Sequence, residues 1–123
     1  MVDINQLLVD NQIMLEGIFG NKTAERVLLH IFHYGEIHAS AIAQDYGIAL
    51  NPILGQLDRF EQAGILISKE LGRSRVYSFN PKSPLVSPVR DLVKIVYDSI
   101  PLREKEKLFI KRRRPRRKGK PIL

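Results

Sequence analysis

Residues 39–79 read ASAIAQDYGIALNPILGQLDRFEQAGILISKELGRSRVYSF, and the spacing of apolar residues changes within them. Ala39, Ile42, Ala43 and Tyr46 stand at i, i+3, i+4 and i+7, the stripe of a helix with one buried face, over about 38–46. Gly47 stops it at a position that favours a left-handed backbone. A second helix is predicted over about 50–63. Asn51-Pro52 marks its first turn, where the N–H that proline lacks would have no partner anyway. Ile53, Leu57 and Phe60 supply its buried face, and Gly64 ends it. The period then falls to two. Residues 65–70 and 74–79 read as paired strands around a Leu71-Gly72-Arg73 tip, with Val76/Ser78 and Tyr77/Phe79 on alternating faces. Asn80-Pro81 closes the second strand.

Working outward, Ala24, Val27, Leu28 and Ile31 predict a core-facing helix over about 22–34 with Gly35 as its stop. Residues 3–19 also read as helical, with Asp3 as cap and Ile4, Leu7, Leu8, Met14, Leu15 and Ile18 apolar, ending before Gly20. Downstream, Pro84 and Pro88 bracket a linker. Ser87-Pro88 is expected to open a helix, serine capping and proline first, with the stripe Val89, Leu92, Val93, Val96 and Ile100. Pro101 breaks it, and 102–113 reads as a charged helix before Pro115. The expected organisation is an N-terminal helix at 1–20, a folded unit at 21–82, a helical segment at 83–110 and a tail at 111–123. No internal repeat is visible.

The 123 residues fit one compact domain, and the absence of cysteine excludes thiolate zinc sites and thiol redox chemistry. No apolar run reaches the roughly 18 residues of a membrane span, and Met1-Val2-Asp3 lacks the basic flank of a signal peptide. The expectation is a soluble, cytoplasmic protein without membrane association. The net charge of +7 is localised. Lys111, Arg112, Arg113, Arg114, Arg116, Arg117, Lys118 and Lys120 fall within ten residues with no acidic neighbour, whereas the other 113 residues hold 12 Lys and Arg against 13 Asp and Glu. A block of like charge repels itself and suits an arm that binds a polyanion; the alternative is a solvated tail that only aids solubility.

Helices followed by a two-stranded hairpin follow the winged-helix order. From about Phe19 to Pro81 the chain resembles the winged helix-turn-helix domain of ArsR-type bacterial and archaeal regulators. Ile42-Ala43, Gly47-Ile48, Leu57, Phe60, Ala63-Gly64-Ile65-Leu66 and Gly72-Arg73-Ser74-Arg75-Val76-Tyr77 carry the resemblance. It implies a mainly α protein with a two-stranded β-hairpin wing (α+β), extended by N- and C-terminal helices. It also implies transcription regulation through double-stranded DNA and homodimerisation through the terminal helices, with recognition helices about 34 Å apart. In a monomer, the stripe from Val89 to Ile100 should instead pack back on the core.

In this arrangement the second helix of the pair lies in the major groove. Asn51 and Gln56 suit adenine, and Arg59 suits guanine or a phosphate; the alternative for Asn51 is a helix cap. Ser40, in the first helix, is a further candidate contact. Leu54 and Gly55 replace the small polar, Arg or His residues common in such families, and Asp58 and Glu61 add negative charge. Lys69, Arg73, Ser74 and Arg75 at the hairpin suit phosphates or the minor groove, or merely guard a strand edge. The eight tail cations would bind with steep salt dependence and little sequence preference.

Chemistry beyond binding has little support. His30, His33 and His38 lie close in sequence, with His30 and His33 on one helix face, but no cysteine accompanies them, and they are expected to be ordinary surface histidines. No metal site, cofactor or catalytic residue is expected, because no phosphate-binding glycine loop, nucleophile motif or useful carboxylate pair is present. Two rival functions remain open: a protein-docking module using Leu50 and Leu54, and RNA binding through the tail.

Overall fold

The computed structural model describes residues 14–109. Six helices and three strands follow in the order α1 (Met14–Phe19), α2 (Lys22–Tyr34), β1 (Glu36–His38), α3 (Ala39–Tyr46), α4 (Leu50–Gln62), β2 (Leu66–Leu71), β3 (Ser74–Phe79), α5 (Val86–Ser99) and α6 (Leu102–Leu108). The helix expected to start at residue 3 is described only from Met14, and its first eleven residues lie outside the described ones.

Helix α2 is the hub. Asn21 caps it by accepting the Ala24 N–H at 2.8 Å, so its start is fixed locally. Its stripe Ala24, Val27, Leu28 and Ile31 is buried as the spacing required, joined by Leu15 from α1, Ile42 from α3, Ile53, Leu57 and Phe60 from α4, and Val93 and Val96 from α5. At the turn between α3 and α4 the chain reverses at Gly47, φ +66°. Ile48 N–H reaches back to Ala43 O at 3.0 Å and Gly47 N–H to Gln44 O at 3.2 Å, so the last α3 carbonyls find donors. A Cβ at this φ is strained, which accounts for glycine there.

The sheet has three strands in the order β1-β3-β2, all antiparallel, where two were expected. β1 pairs Ile37 with Tyr77 and His38 with Val76. Three residues are too few to show a period of two, so the strand forms because the α2–α3 connection runs beside β3. As the central strand, β3 buries consecutive residues, Val76 and Tyr77, and only Tyr77 joins the main core. The hairpin tip is shorter than expected. Leu71 pairs with Ser74, leaving Gly72-Arg73 as a two-residue loop with Gly72 at φ +69°, the positive first position of a primed turn.

Two further expectations are corrected. Asn51 does not cap α4, because the helix already includes Leu50 and its cap is Ala49. Ser87 does not cap α5, which starts at Val86; Ser83 instead accepts the Leu85 N–H at 3.1 Å through its hydroxyl and the Val86 N–H at 3.2 Å through its carbonyl. Pro88 then lies third in the helix, where an N–H would still have no intrahelical acceptor. Val93 and Val96 of α5 and Ile100 just past its end are buried and Val89 and Leu92 pack against the core, so the stripe turns inward, the packing expected of a monomer. Ile18, Leu85, Ile95 and Leu102 remain as exposed apolar residues around the terminal helices. Among the described residues no helix is long and apolar enough to cross a membrane.

Candidate nucleic-acid interface

Helix α4 is amphipathic in the sense a groove-reading helix requires. Ile53, Leu57 and Phe60 anchor it to the core, and Leu50, Asn51, Leu54, Gly55 and Asp58 face solvent. Its N-terminal half therefore offers one amide side chain, Asn51, flanked by two leucines exposed by about two-fifths. Gln56 is half-buried, and its Oε1 accepts from Arg59 Nε at 3.1 Å.

Arg59 itself turns back toward the body. Its Nη2 donates to the Phe19 carbonyl at 2.8 Å, and its guanidinium lies 5.0 Å from the centroid of the Phe60 ring. Phe19 in turn meets Phe60 edge-on at 5.8 Å. The side chain thus ties the end of α1 to α4 as well as carrying charge.

The negative charges of α4 are engaged too. Asp58 accepts from Gln62 at 3.0 Å, and Glu61 accepts from the Ser68 hydroxyl at 2.7 Å. Ser68 also accepts from Arg75 Nη1 at 3.1 Å, while Arg75 Nη2 pairs with Glu70 at 3.0 Å. A chain of hydrogen bonds, Glu61–Ser68–Arg75–Glu70, therefore fixes the hairpin against α4. Nothing in the sequence spacing signals it, because it joins residues five to seven apart across three elements.

Of the three hairpin cations, Lys69 pairs with Glu36 of β1 at 3.5 Å and Arg75 with Glu70. All four groups are substantially exposed, so these pairs are worth at most about 1 kcal/mol each and exchange easily for phosphates. Arg73 differs: exposed at the tip, its side chain has no ion pair or hydrogen bond among the described residues. Ser74 beside it and Ser40 at the start of α3 are also exposed. The described residues hold 12 Lys and Arg against 11 Asp and Glu, a nearly neutral body. The tail cations from Lys111 to Lys120 lie outside the described residues.

Of the three histidines expected at the surface, His33 is exposed and His38 half-buried, and only His30 departs from that expectation. His30 is completely buried, with Nε2 and Asp45 Oδ2 sharing a 2.9 Å hydrogen bond. His33 Nδ1 and the Tyr97 hydroxyl share one of 2.7 Å. The two rings lie one helical turn apart but are held by different elements, and among the described residues no three His, Cys, Asp or Glu side chains gather as a metal cluster. A second buried polar group, Glu25, accepts the Glu16 backbone N–H at 3.1 Å beside a cavity of about 340 Å³ lined also by Lys22, Arg26, Asp45, Tyr46 and Lys107. Burial pushes its carboxyl up to about 7.

No family model and no curated protein matches the chain. Two solved structures are similar to it. The antimony-specific transcriptional repressor AntR superposes with a TM-score of 0.53 at 21% identity, covering 70% of this chain and 76% of that one. A MarR-family transcriptional regulator from Rhodococcus sp. RHA1 does so with a TM-score of 0.57 at 17% identity, covering 84% and 74%. At such identities the likeness reaches the architecture and does not single out the ArsR-type family. The chain has the fold of winged-helix transcriptional regulators, with α3 and α4 as the helix pair and β2–β3 as the wing.

Proposed function

We propose that this protein is a sequence-selective, double-stranded DNA-binding transcriptional regulator that works as a cytoplasmic homodimer. One observation supports this above the others: α4 is anchored by three buried residues and turns its N-terminal half to solvent, beside a wing whose tip arginine is unengaged. In this reading Asn51, with Gln56 behind it, reads base edges in the major groove. Arg73, Ser74, Arg75, Lys69 and Ser40 hold the phosphates. Arg59 orients α4 through Phe19 and lends it charge. The tail, Lys111 to Lys120, adds affinity that is blind to sequence. The dimer forms through the exposed apolar residues Ile18, Ile95 and Leu102 together with the N-terminal segment, leaving the two α4 helices about one DNA turn apart.

Selection of bound fragments from random duplex DNA by the full chain tests the proposal. The expected product is a two-fold symmetric site whose selection survives truncation after Ile110, with the salt slope of binding falling by up to about 7 for eight lost cations. Loss of all duplex binding on truncation would reduce the helix pair to a scaffold for the tail.

A second reading has an observation of its own. Leu50 and Leu54 give α4 an apolar outward face, and the body is nearly neutral, as suits a module that docks a protein. Under that reading Leu54→Lys abolishes partner capture and leaves duplex affinity unchanged or raised.

A further inference from the structure

We propose that Phe109 is a docking anchor that fixes where the basic arm leaves the folded body, and that the aromatic socket it fills opens when His33 takes up a proton. The consequence for DNA rests on the reading of the tail given above; the docking itself does not.

Helix α6 has no buried residue of its own, yet Phe109, immediately after it, is 6% exposed. Four rings receive it. His33 stacks on it with centroids 4.3 Å apart and planes 12° from parallel. His30 lies at 4.9 Å, Tyr97 at 5.6 Å and Tyr34 at 6.2 Å. Lys105, on α6, sits 4.2 Å from the centroid of the Tyr97 ring, and the Phe109 N–H closes the helix on Lys105 O at 2.8 Å. The eight-cation block begins two residues later, at Lys111. With half-buried Leu108 beside it, Phe109 is the one buried side chain of the largely exposed 101–109 segment, and its seat against α2 and α5 at the root of a polyelectrolyte makes it a moorage.

The socket is sensitive to charge. His33 meets Tyr97 from α5, Tyr34 from α2, and Lys105 and Phe109 from the α6 segment, while His30, behind Phe109, already bonds to Asp45 of α3. Asp98, which follows Tyr97 in the chain, is held by Lys94 at 2.6 Å. Desolvation of its stacked face, and then Lys105, hold the otherwise exposed His33 below the ordinary histidine range. Docking thus favours neutral His33, and by linkage a proton on His33 favours release.

Release lengthens the tether. The middle of the basic block, near Pro115, lies six residues past Phe109 but fifteen past Ile100, the last buried residue before it. Local concentration falls as roughly the −3/2 power of tether length, so the arm's contribution to duplex binding drops about four-fold.

Hydrogen exchange of residues 102–108 in the full chain, corrected for intrinsic rates, tests this at roughly pH 7.5 and pH 5.5. Wild type is expected to exchange faster at the lower pH, by up to about ten-fold for one histidine released at its ordinary pKa, Phe109→Ala fast at both, and Phe109→Trp like wild type. His33→Phe, which keeps a ring against Phe109 but cannot titrate, is expected to stay slow at both. The amides of 27–31 stay protected throughout and report an intact core. Protection in Phe109→Ala equal to wild type, or acid release persisting in His33→Phe, overturns the proposal. Because the chain has no tryptophan, emission from Phe109→Trp reads docking independently. On random duplex, Phe109→Ala is expected to lose about four-fold in affinity, a loss absent from chains truncated after Ile110. If truncation itself leaves duplex affinity unchanged, the arm reading fails while the exchange result still establishes the anchor.

Discussion

Replacing Glu25 by glutamine should remove a component of the pH dependence of folding that the fold itself creates. Glu25 is 2% exposed, and burial, against a lowering effect of the Glu16 N–H, raises its carboxyl from 4.5 to about 7. The folded state therefore holds a proton that the unfolded chain has released, and stability contributed by this group is present below about pH 4.5 and lost as pH rises through 7. A shift of this size corresponds to about 3.4 kcal/mol in full, of which about 2.5 kcal/mol falls between pH 5 and 8. The carboxyl borders a cavity of about 340 Å³ with Lys22 at its rim, so solvent screening reduces the expected change to about 1–2 kcal/mol. Urea unfolding of both proteins at equal concentration, at several pH values, gives the measurement. The quantity to compare is the stability of wild type minus that of Glu25→Gln. It should fall by about 1–2 kcal/mol from pH 5 to pH 8. Taking the difference cancels any fixed cost of the new amide and the opposite contribution of His33, whose depressed pKa adds stability as pH rises toward 6.5. A difference that stays constant within about 0.3 kcal/mol would show that Glu25 is not the buried acid described here.

Two further outcomes follow from the surface. Arg73→Ala should weaken binding to duplexes of any sequence and lower the salt slope by about 1 with little loss of folding stability, since its exposed side chain makes no ion pair or hydrogen bond among the described residues; an unchanged slope, read by fluorescence anisotropy against salt, would remove the wing tip from the interface. Arg75→Ala should in addition cost up to about 1 kcal/mol of stability, as it breaks the bonds to Glu70 and Ser68. Lysine at Ile95 and Leu102, exposed at 58% and 72%, should leave the fold intact within about 0.5 kcal/mol and halve the mass seen in sedimentation equilibrium; a dimer that persists would place the contact elsewhere.

Much of the architecture is legible in short-range pattern. The stripe Ala24, Val27, Leu28, Ile31 is sufficient for α2 because burial of one helical face has a period that four residues display. Gly47 and the Gly72-Arg73 tip announce their turns because a positive φ excludes most other residues. β1 leaves no such mark: Glu36-Ile37-His38 becomes a strand only because β3 lies alongside. The candidate interface was readable as a set of residue types and not as a set of available charges. Arg59 and Arg75 look equivalent in sequence to Arg73, yet one is tied to Phe19 and the other to Glu70 and Ser68.

Local order and the sign and place of the charges were thus already determined by the chain as written, since periodicity, turn conformation and like-charge blocks are properties of neighbours in sequence. Burial of His30 and Glu25, the inward turn of the α5 stripe, the seat of Phe109 and the choice of which arginine stays unengaged were decided only in three dimensions. Each depends on a group brought in from five to seventy-nine residues away, Glu70 to Arg75 at one extreme and His30 to Phe109 at the other. Desolvation and ion pairing respond to what arrives, wherever it lies in the chain.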